Sequence, residues 1–135
     1  MAILPMIMGS GGAQYTETSL WTNSAPTSTY TTGTLSLSDN ISNYDYIKIV
    51  YRRTTSGTTE YSVVISSSEI VNCKLSDGKM SLALGVNSSG TTFYYRPIWY
   101  ESDTQLSVSH CRAWGSSSNT DGNAIPYKII GCKFA

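Results

Sequence analysis

Residues 42–53 contain the clearest strand signal in the chain and read Ser42-Asn43-Tyr44-Asp45-Tyr46-Ile47-Lys48-Ile49-Val50-Tyr51-Arg52-Arg53. The first four residues favour a turn, because Ser, Asn and Asp side chains bond readily to their own backbone. In the second half, apolar Ile47, Ile49 and Tyr51 alternate with the residues between them, which is the period of a β-strand. Branched and aromatic residues suit a pleated, half-buried surface. The stretch therefore predicts a central strand, apolar on one face and mixed on the other.

The same alternation recurs along the rest of the chain in short segments separated by polar turns. A turn around Gly57 predicts a hairpin that joins the central strand to residues 60–66. Strands are also predicted at residues 70–75 and 105–112. Because proline lacks an amide proton, the strand containing Pro97 is either an edge strand or bulged there. Short strands at spacings of about 8–12 residues are typical of a sandwich. The predicted fold is all-β: a single-domain, jelly-roll-like β-sandwich of about eight to nine antiparallel strands.

The N-terminal segment, residues 1–14, differs from the domain that follows at residues 15–135. It is apolar at first and then glycine-rich, and Pro5 breaks any helix. An apolar tail on a flexible hinge is costly unless another surface covers it. We therefore predict an extended arm that docks on a neighbouring subunit. The alternative is an end that folds back as an edge strand on its own domain or stays disordered. The predicted anchor residues are Ile3, Leu4, Pro5, Met6, Ile7 and Met8.

Charge and hydropathy exclude several classes of partner. The 135 residues carry nine basic and nine acidic side chains, so the formal net charge is zero. This balance argues against binding to nucleic acid or to an anionic membrane surface, and it makes self-association easy. No stretch reaches the ~20 apolar residues of a membrane-spanning helix. The apolar N-terminus also lacks the positive charge and length of a secretory signal. We predict a protein that stays in the cytoplasm until an assembly step.

Side chains that could support chemistry are few. His110 is the only histidine, and it alternates with Leu106 and Val108, which favours a core or inter-strand role. Asp121 lies between two asparagines, a pattern more typical of a solvated turn than of a calcium site. For the three cysteines we favour reduced thiols over one disulfide and one free thiol. No phosphate-binding loop, zinc spacing or nucleophile elbow is present. We therefore expect a non-enzymatic protein with no cofactor and no metal.

Aromatic side chains are the stronger signal. The chain has 10 Tyr and 3 Trp but only 2 Phe. Adjacent aromatic residues on a strand point to opposite faces, so some of them must face outward. Outward aromatic rings can stack on sugars or anchor a protein interface. The alternative is that they seal the two sheets and the subunit contacts of an oligomer. The candidate surface and glycan contacts are Tyr94, Trp99, Tyr100 and Trp114.

Several segments, taken in order, carry a resemblance to a known group of proteins. They are Thr16-Glu17-Thr18-Ser19-Leu20-Trp21-Thr22-Asn23, Pro26-Thr27-Ser28, Leu35-Ser36-Leu37-Ser38, Asn43-Tyr44-Asp45-Tyr46-Ile47-Lys48-Ile49 and Ile125-Pro126-Tyr127-Lys128-Ile129-Ile130-Gly131. In this order the chain resembles small β-domain virion proteins, tail-fibre-like or decoration-type, encoded by tailed phages and prophages of Gram-positive bacteria. The resemblance covers nearly all of residues 15–135 and brings no catalytic motif with it.

The resemblance implies a bacteriophage virion structural protein of the tail-fibre or receptor-binding type, located in the virion. The partners it implies are further copies in a homotrimer, another virion protein held by the arm, and a host-surface glycan. Loops 23–32 and 115–123 would meet the host, and weak contacts would sum over the copies. One alternative is a capsid decoration protein, a head cement or head fibre. An alternative of another class is a stand-alone carbohydrate-binding module.

Overall fold

The computed structural model describes residues 15–73, 82–88 and 92–134. Within these ranges the chain is mostly strand, and two antiparallel sheets confirm the predicted all-β sandwich. The strands are Tyr15–Thr22 (β1), Gly33–Ser36 (β2), Tyr46–Thr54 (β3), Glu60–Ser66 (β4), Leu82–Ser88 (β5), Thr92–Ser102 (β6), Gln105–Val108 (β7), Arg112–Ala113 (β8) and Asn123–Phe134 (β9). A 3-10 turn at Ile41–Asn43 and a helical turn at Ser67–Ile70 complete the described elements. No helix in the described ranges is long and apolar enough to cross a membrane.

The two sheets divide the strands between them. The first sheet has the order β1-β9-β3-β4, and the second has the order β2-β7-β6-β5. The short strand β8 also pairs with β6. The carbonyls of Phe93 and Pro97 accept hydrogen bonds from Trp114 and Ser109. Carbonyls of residues that are an even number of positions apart in a strand point to the same side. β8 therefore lies along the same side of β6 as β7.

The predicted central strand is confirmed. β3 lies between β9 and β4, with Ile49 opposite Ile129 on one side and Val63 on the other. Ile47 and Ile49 are completely buried, whereas Lys48 on the opposite face is half-buried. The hairpin to β4 closes across residues 55–59. Strand periodicity alone therefore identified this strand as central and showed which of its faces is apolar.

The core fills the space between the sheets. Both sheets supply aliphatic side chains, each stabilising the fold by about 1.5–3 kcal/mol when fully buried. The fully or almost fully buried members include Leu20, Leu35, Ile47, Ile49, Leu84, Val86, Ile98, Leu106, Val108 and Ile129. All three cysteines are buried and unbridged.

The strand predicted at residues 70–75 is wrong over its described part. Ser67–Ile70 forms one helical turn, which Val71 and Asn72 continue as a turn. Ser66 caps this helical turn, because its Oγ accepts a 3.3 Å hydrogen bond from the amide of Glu69 and donates one of 2.8 Å to the Glu69 carboxylate. A serine followed three residues later by glutamate is a helix-start signature. Residues 74–75 lie outside the described residues.

The strand predicted at residues 105–112 is interrupted, since β7 ends at Val108 and β8 begins at Arg112. Pro97 lies opposite the interruption. Its carbonyl accepts a 3.0 Å hydrogen bond from the amide of Ser109, but proline has no amide proton to return. β6 is an interior strand here rather than an edge strand, because β5 pairs with its other side. The interruption therefore lies in the opposite strand, between β7 and β8, and not in β6.

Candidate functional site

The outer face of the second sheet presents a group of aromatic side chains. Along β6, Arg96 and Ile98 point into the core and are completely buried. Phe93, Tyr95 and Trp99 are therefore on the opposite, outward face. Phe93 is 45% exposed, although its ring lies against the backbone of Gly85. A Cβ atom at position 85 would lie 2.5 Å from the ring of Phe93, so only glycine lets this ring approach the neighbouring strand so closely.

Trp114 extends this surface and is the most exposed of the large hydrophobic side chains in the described residues, at 75%. Its amide donates a 2.8 Å hydrogen bond to the carbonyl of Phe93. Its ring meets that of Tyr95 edge to face, with the centroids 5.8 Å apart. Such a pair contributes about 0.5–1.5 kcal/mol beyond the area it buries. Gly115 follows in a turn with φ of +83°, a conformation that favours glycine. Trp114 is thus held at its backbone and at one ring edge while the rest of the indole faces solvent.

Two polar side chains lie beside these rings. Arg112 is directly opposite Tyr95 in the β6–β8 ladder, so both side chains leave the same face of the sheet. Asn119 faces Arg112 across an isolated antiparallel bridge. The Arg112 Nε donates a long, 3.4 Å hydrogen bond to the Asn119 Oδ1. We call this group the Trp114 face; its members are Phe93, Tyr95, Arg112, Trp114 and Asn119.

The loop that carries part of the Trp114 face is ordered by its own hydrogen bonds. The amide of Ser116 donates to the carbonyl of Ala113 at 3.0 Å, and the amide of Thr120 donates to the carbonyl of Cys111 at 2.7 Å. The amide of Ser118 donates to the hydroxyl of Ser116 at 3.1 Å. A loop that is already bonded loses less conformational entropy when a ligand binds.

Behind this loop lies Arg96, a completely buried arginine. Its guanidinium donates five hydrogen bonds of 2.8–3.1 Å, and every acceptor is a backbone carbonyl. The ring of Tyr30 lies against it, 5.4 Å from the guanidinium carbon to the ring centroid. The guanidinium of arginine carries five N–H donors in one rigid plane, and here all three of its nitrogens donate hydrogen bonds. The acceptors belong to Thr31, Ser109, Asp121, Asn123 and Ala124.

Asp121 supplies the negative charge next to Arg96. Its Oδ1 lies 3.8 Å from the Arg96 Nη1 and accepts a 3.0 Å hydrogen bond from the amide of Cys111. Its Oδ2 lies 2.7 Å from the His110 Nδ1. The carboxylate therefore compensates the buried arginine and fixes the irregular segment between β7 and β8.

The predicted alternation of His110 with Leu106 and Val108 is wrong because of the interruption after β7. Cys111 is completely buried and the His110 side chain is 33% exposed. Burial raises the pKa of the Cys111 thiol, which disfavours the thiolate needed for nucleophilic or metal chemistry. Burial also lowers the pKa of Arg96, because it disfavours the charged form, whereas the negative charge of Asp121 raises that pKa.

The structure brings together the two loops that were expected to meet a host. The amide of Tyr30 in loop 23–32 donates a 3.1 Å hydrogen bond to the carbonyl of Asp121 in loop 115–123. Arg96 joins the same loops through the carbonyls of Thr31 and Asn123. Ala124, whose carbonyl is the fifth acceptor, adopts a φ of 47°, a conformation uncommon outside glycine. The Arg96 hydrogen bonds hold the chain in that conformation where β9 begins.

The predicted contact residues do not share one surface. Trp114 and Trp99 face outward, and the Trp99 indole N–H donates to the carboxylate of Glu101. Tyr94 and Tyr100 are half-buried against the core. The predicted anchor, Ile3, Leu4, Pro5, Met6, Ile7 and Met8, lies outside the described residues. Sequence reasoning missed Phe93, Tyr95, Arg112 and Asn119 as members of the Trp114 face, and it missed the buried Arg96 behind them. Of these residues only Asn119 lies in loop 115–123, which the turn signals had marked.

No protein-family model matches the chain, and a search of curated proteins gave no match. Among residues 15–73, 82–88 and 92–134, no group of three or more His, Cys, Asp or Glu side chains is placed to hold a metal ion. The Trp114 face, argued from its geometry, is the candidate site for binding.

Proposed function

We propose that the protein is a non-enzymatic adhesion protein of a phage virion, of the tail-fibre or receptor-binding type, which binds a host-surface glycan through the Trp114 face. The observation that supports this proposal best is the 75% exposure of Trp114 on an ordered loop. A large apolar ring costs free energy in water unless a partner covers it. Phe93, also exposed, enlarges the same surface.

The chemistry of the Trp114 face suits a sugar. The apolar C–H side of a sugar ring packs against an aromatic ring, while its hydroxyl groups need hydrogen-bond donors and acceptors. Asn119 offers both through its amide, and Arg112 offers donors. An apolar platform with a few polar groups at its margin is the usual composition of a small-ligand site. One such contact is weak, so the proposed homotrimer would bind by avidity.

In this proposal the arm, residues 1–14, attaches the protein to another virion protein. Tyr15, where the described chain begins, lies in a second exposed aromatic group on the first sheet. Its ring centroid is 5.4 Å from that of Phe134, which in turn lies 5.9 Å from that of Tyr46. All three side chains are exposed. Tyr15 follows the arm directly in the sequence, so this group would be covered together with the arm when the arm docks.

The same aromatic group favours one second candidate, a capsid decoration protein. In a head cement or head fibre, the first sheet and the arm would contact the capsid and the Trp114 face would be dispensable. A stand-alone carbohydrate-binding module shares the Trp114 site with the main proposal, but it would be absent from purified particles.

A glycan-binding assay and a particle-incorporation assay separate these functions. We expect Trp114→Ala to abolish glycan binding while Tyr46→Ala, a matched exposed aromatic on the other sheet, leaves it intact. We expect deletion of residues 1–12 to remove the protein from purified particles, measured by mass spectrometry. Unchanged glycan binding by Trp114→Ala would refute the proposed site. Absence of the full-length protein from particles would refute the virion role.

A further inference from the structure

We infer that the glycan bound by the Trp114 face carries an anionic group, a carboxylate or a phosphate, and that Arg112 binds it. The inference rests on the proposed glycan binding and specifies the class of sugar.

Arg112 is exposed and lies on the same face as the aromatic rings. It is opposite Tyr95 in the ladder, and Trp114 is two residues further along the chain on the same side. A ligand stacked on Trp114 would therefore have the guanidinium at its edge. The side chain is also partly positioned in advance, because its Nε donates to Asn119.

The two terminal nitrogens of Arg112, Nη1 and Nη2, have no partner among the described residues. Arg52 and Arg96 differ in this respect, since each lies within 4.0 Å of a carboxylate oxygen. The guanidinium presents N–H groups in a plane that matches two oxygens of a carboxylate or phosphate. Arg112 is therefore placed to make a bidentate contact that no described residue of the protein supplies.

Among the residues that the structure describes, no carboxylate oxygen lies within 4.0 Å of the Arg112 guanidinium, so none of them compensates its positive charge. Two carboxylates, Asp103 and Asp121, are equally near to Arg112 along the chain. Asp121 is turned inward and is bound to His110, the Cys111 amide and Arg96. Asp103 accepts a hydrogen bond from the Ser42 hydroxyl. Glu101 lies at the other end of β6, where it accepts from Trp99. An anion beside Trp114 would thus meet an attractive cation rather than a neutralised pair.

A paired glycan array tests the inference. Each uronic-acid glycan is printed beside its neutral methyl ester, and each sugar phosphate beside its dephosphorylated parent. The probes are the wild-type protein and the variants Arg112→Gln, Arg112→Lys, Trp114→Ala and Lys133→Gln. Lys133 is an exposed cation on the first sheet and serves as the matched control. Urea unfolding of each variant verifies that the fold is intact.

We expect at least one acidic glycan to bind more tightly than its neutral partner. Arg112→Gln should weaken that binding about 10- to 100-fold, the range for a charge-assisted hydrogen bond, and should remove the preference for the acid. Arg112→Lys should restore part of the affinity, since it keeps the charge and loses the planar donors. Lys133→Gln should bind like the wild type, and added salt should weaken acid binding. The carboxylate and phosphate pairs show which anion is bound.

Two outcomes overturn the inference and are distinguishable. If acidic and neutral partners bind equally and Arg112→Gln has no effect while Trp114→Ala abolishes binding, the anionic specificity is wrong and the proposed glycan binding stands. If no glycan binds the wild type, or if Trp114→Ala binds as well as the wild type, the proposed function fails and the inference fails with it.

Discussion

Arg96 donates a 2.9 Å hydrogen bond from its Nη1 to the carbonyl of Ser109, the acceptor that the neighbouring Pro97 cannot satisfy. In a regular antiparallel ladder two opposite residues exchange both of their backbone hydrogen bonds. The Ser109 amide does bond to the Pro97 carbonyl at 3.0 Å, but the return bond is missing because proline has no amide proton. The buried guanidinium takes the place of that amide. The residue that lacks the donor, Pro97, and the residue that supplies it, Arg96, are therefore adjacent in sequence.

This arrangement connects the core with the candidate site. The remaining Arg96 hydrogen bonds go to the base of loop 115–123 and to loop 23–32. Buried carbonyls without a donor are costly. Arg96 donates to five of them, one in the interruption after β7 and the others in loop 23–32, in loop 115–123 and at the start of β9. Arg96 satisfies them and thereby fixes the loop on which Trp114 and Asn119 are presented. A single buried side chain therefore supports both the fold and the proposed binding face.

Replacing Arg96 with methionine should strongly destabilise the protein. The variant removes five hydrogen bonds to backbone carbonyls, of which that of Asp121 keeps the Tyr30 amide as a second donor. It also leaves the Asp121 carboxylate without its buried cation. Removing one partner of a buried charge pair typically costs about 3–5 kcal/mol, and we expect a fall of that size in the free energy of unfolding. Urea denaturation followed by far-UV circular dichroism measures it. The matched control is Arg112→Met, an exposed arginine, which should change stability by less than about 0.5 kcal/mol. Equal effects of the two substitutions would contradict the role given to Arg96.

The substitution Pro97→Ala should partly rescue Arg96→Met. Alanine restores an amide proton that points at the Ser109 carbonyl, so this acceptor no longer depends on Arg96. A double-mutant cycle isolates the coupling. We expect the two substitutions together to be less destabilising than their sum, by about 0.5–1.5 kcal/mol, the net value of one hydrogen bond. Strict additivity would mean that the Ser109 carbonyl does not link Arg96 and Pro97.

The fold could be predicted from the sequence because it rests on periodicity. The alternation of Ile47, Ile49 and Tyr51 identified a central strand, and the turn at Gly57 identified its hairpin. Both are local patterns that directly report which face of a strand is buried. The capping signature that starts at Ser66 is equally local, and it marks the helical turn that forms where a strand was predicted.

The candidate site could be predicted only in part. Trp114 was singled out by its residue type, and its polar loop suggested exposure. Arg96 could not be recognised, because its role depends on carbonyls that come together only in the folded protein. The predicted alternation of His110 with Leu106 and Val108 was wrong for a similar reason: the strand is interrupted after Val108 opposite Pro97, which belongs to another strand. Pairing across strands sets these features, and a single chain read in order does not contain it.

The three cysteine thiols should be unreactive in the folded protein. Cys73, Cys111 and Cys132 are buried and unbridged, and burial raises the pKa of Cys111 and Cys132. Raised pKa values reduce the fraction of thiolate, which is the reactive species. We expect a thiol-specific colorimetric reagent to detect no fast-reacting thiol in the native protein. In urea without reductant it should detect all three. Fewer than three in urea would reveal a disulfide and contradict the unbridged state.

The ion pair between Glu17 and Lys48 should make stability depend on pH in the acidic range. The Lys48 Nζ lies 2.8 Å from the Glu17 Oε2, and the Tyr15 hydroxyl donates to the same oxygen at 2.6 Å. The hydrogen bond from Lys48, followed by that from Tyr15, lowers the pKa of Glu17 below its ordinary value of 4.5. A carboxylate whose pKa is lower in the folded state stabilises the fold above its unfolded pKa, and this contribution is lost as the pH falls through the folded value.

Glutamine at position 17 keeps an acceptor for Tyr15 and Lys48 but cannot ionise, so Glu17→Gln isolates this contribution. At about pH 6–7 we expect the wild type to be more stable than Glu17→Gln by at most about 1 kcal/mol, because both partners are partly exposed. The difference should shrink as the pH falls below 4.5 and vanish once Glu17 is protonated. Urea unfolding of both proteins at a series of pH values measures the difference, and other carboxylates cancel because both proteins contain them. A difference that stays constant across this range would show that the carboxylate of Glu17 has the same pKa in the folded and the unfolded chain.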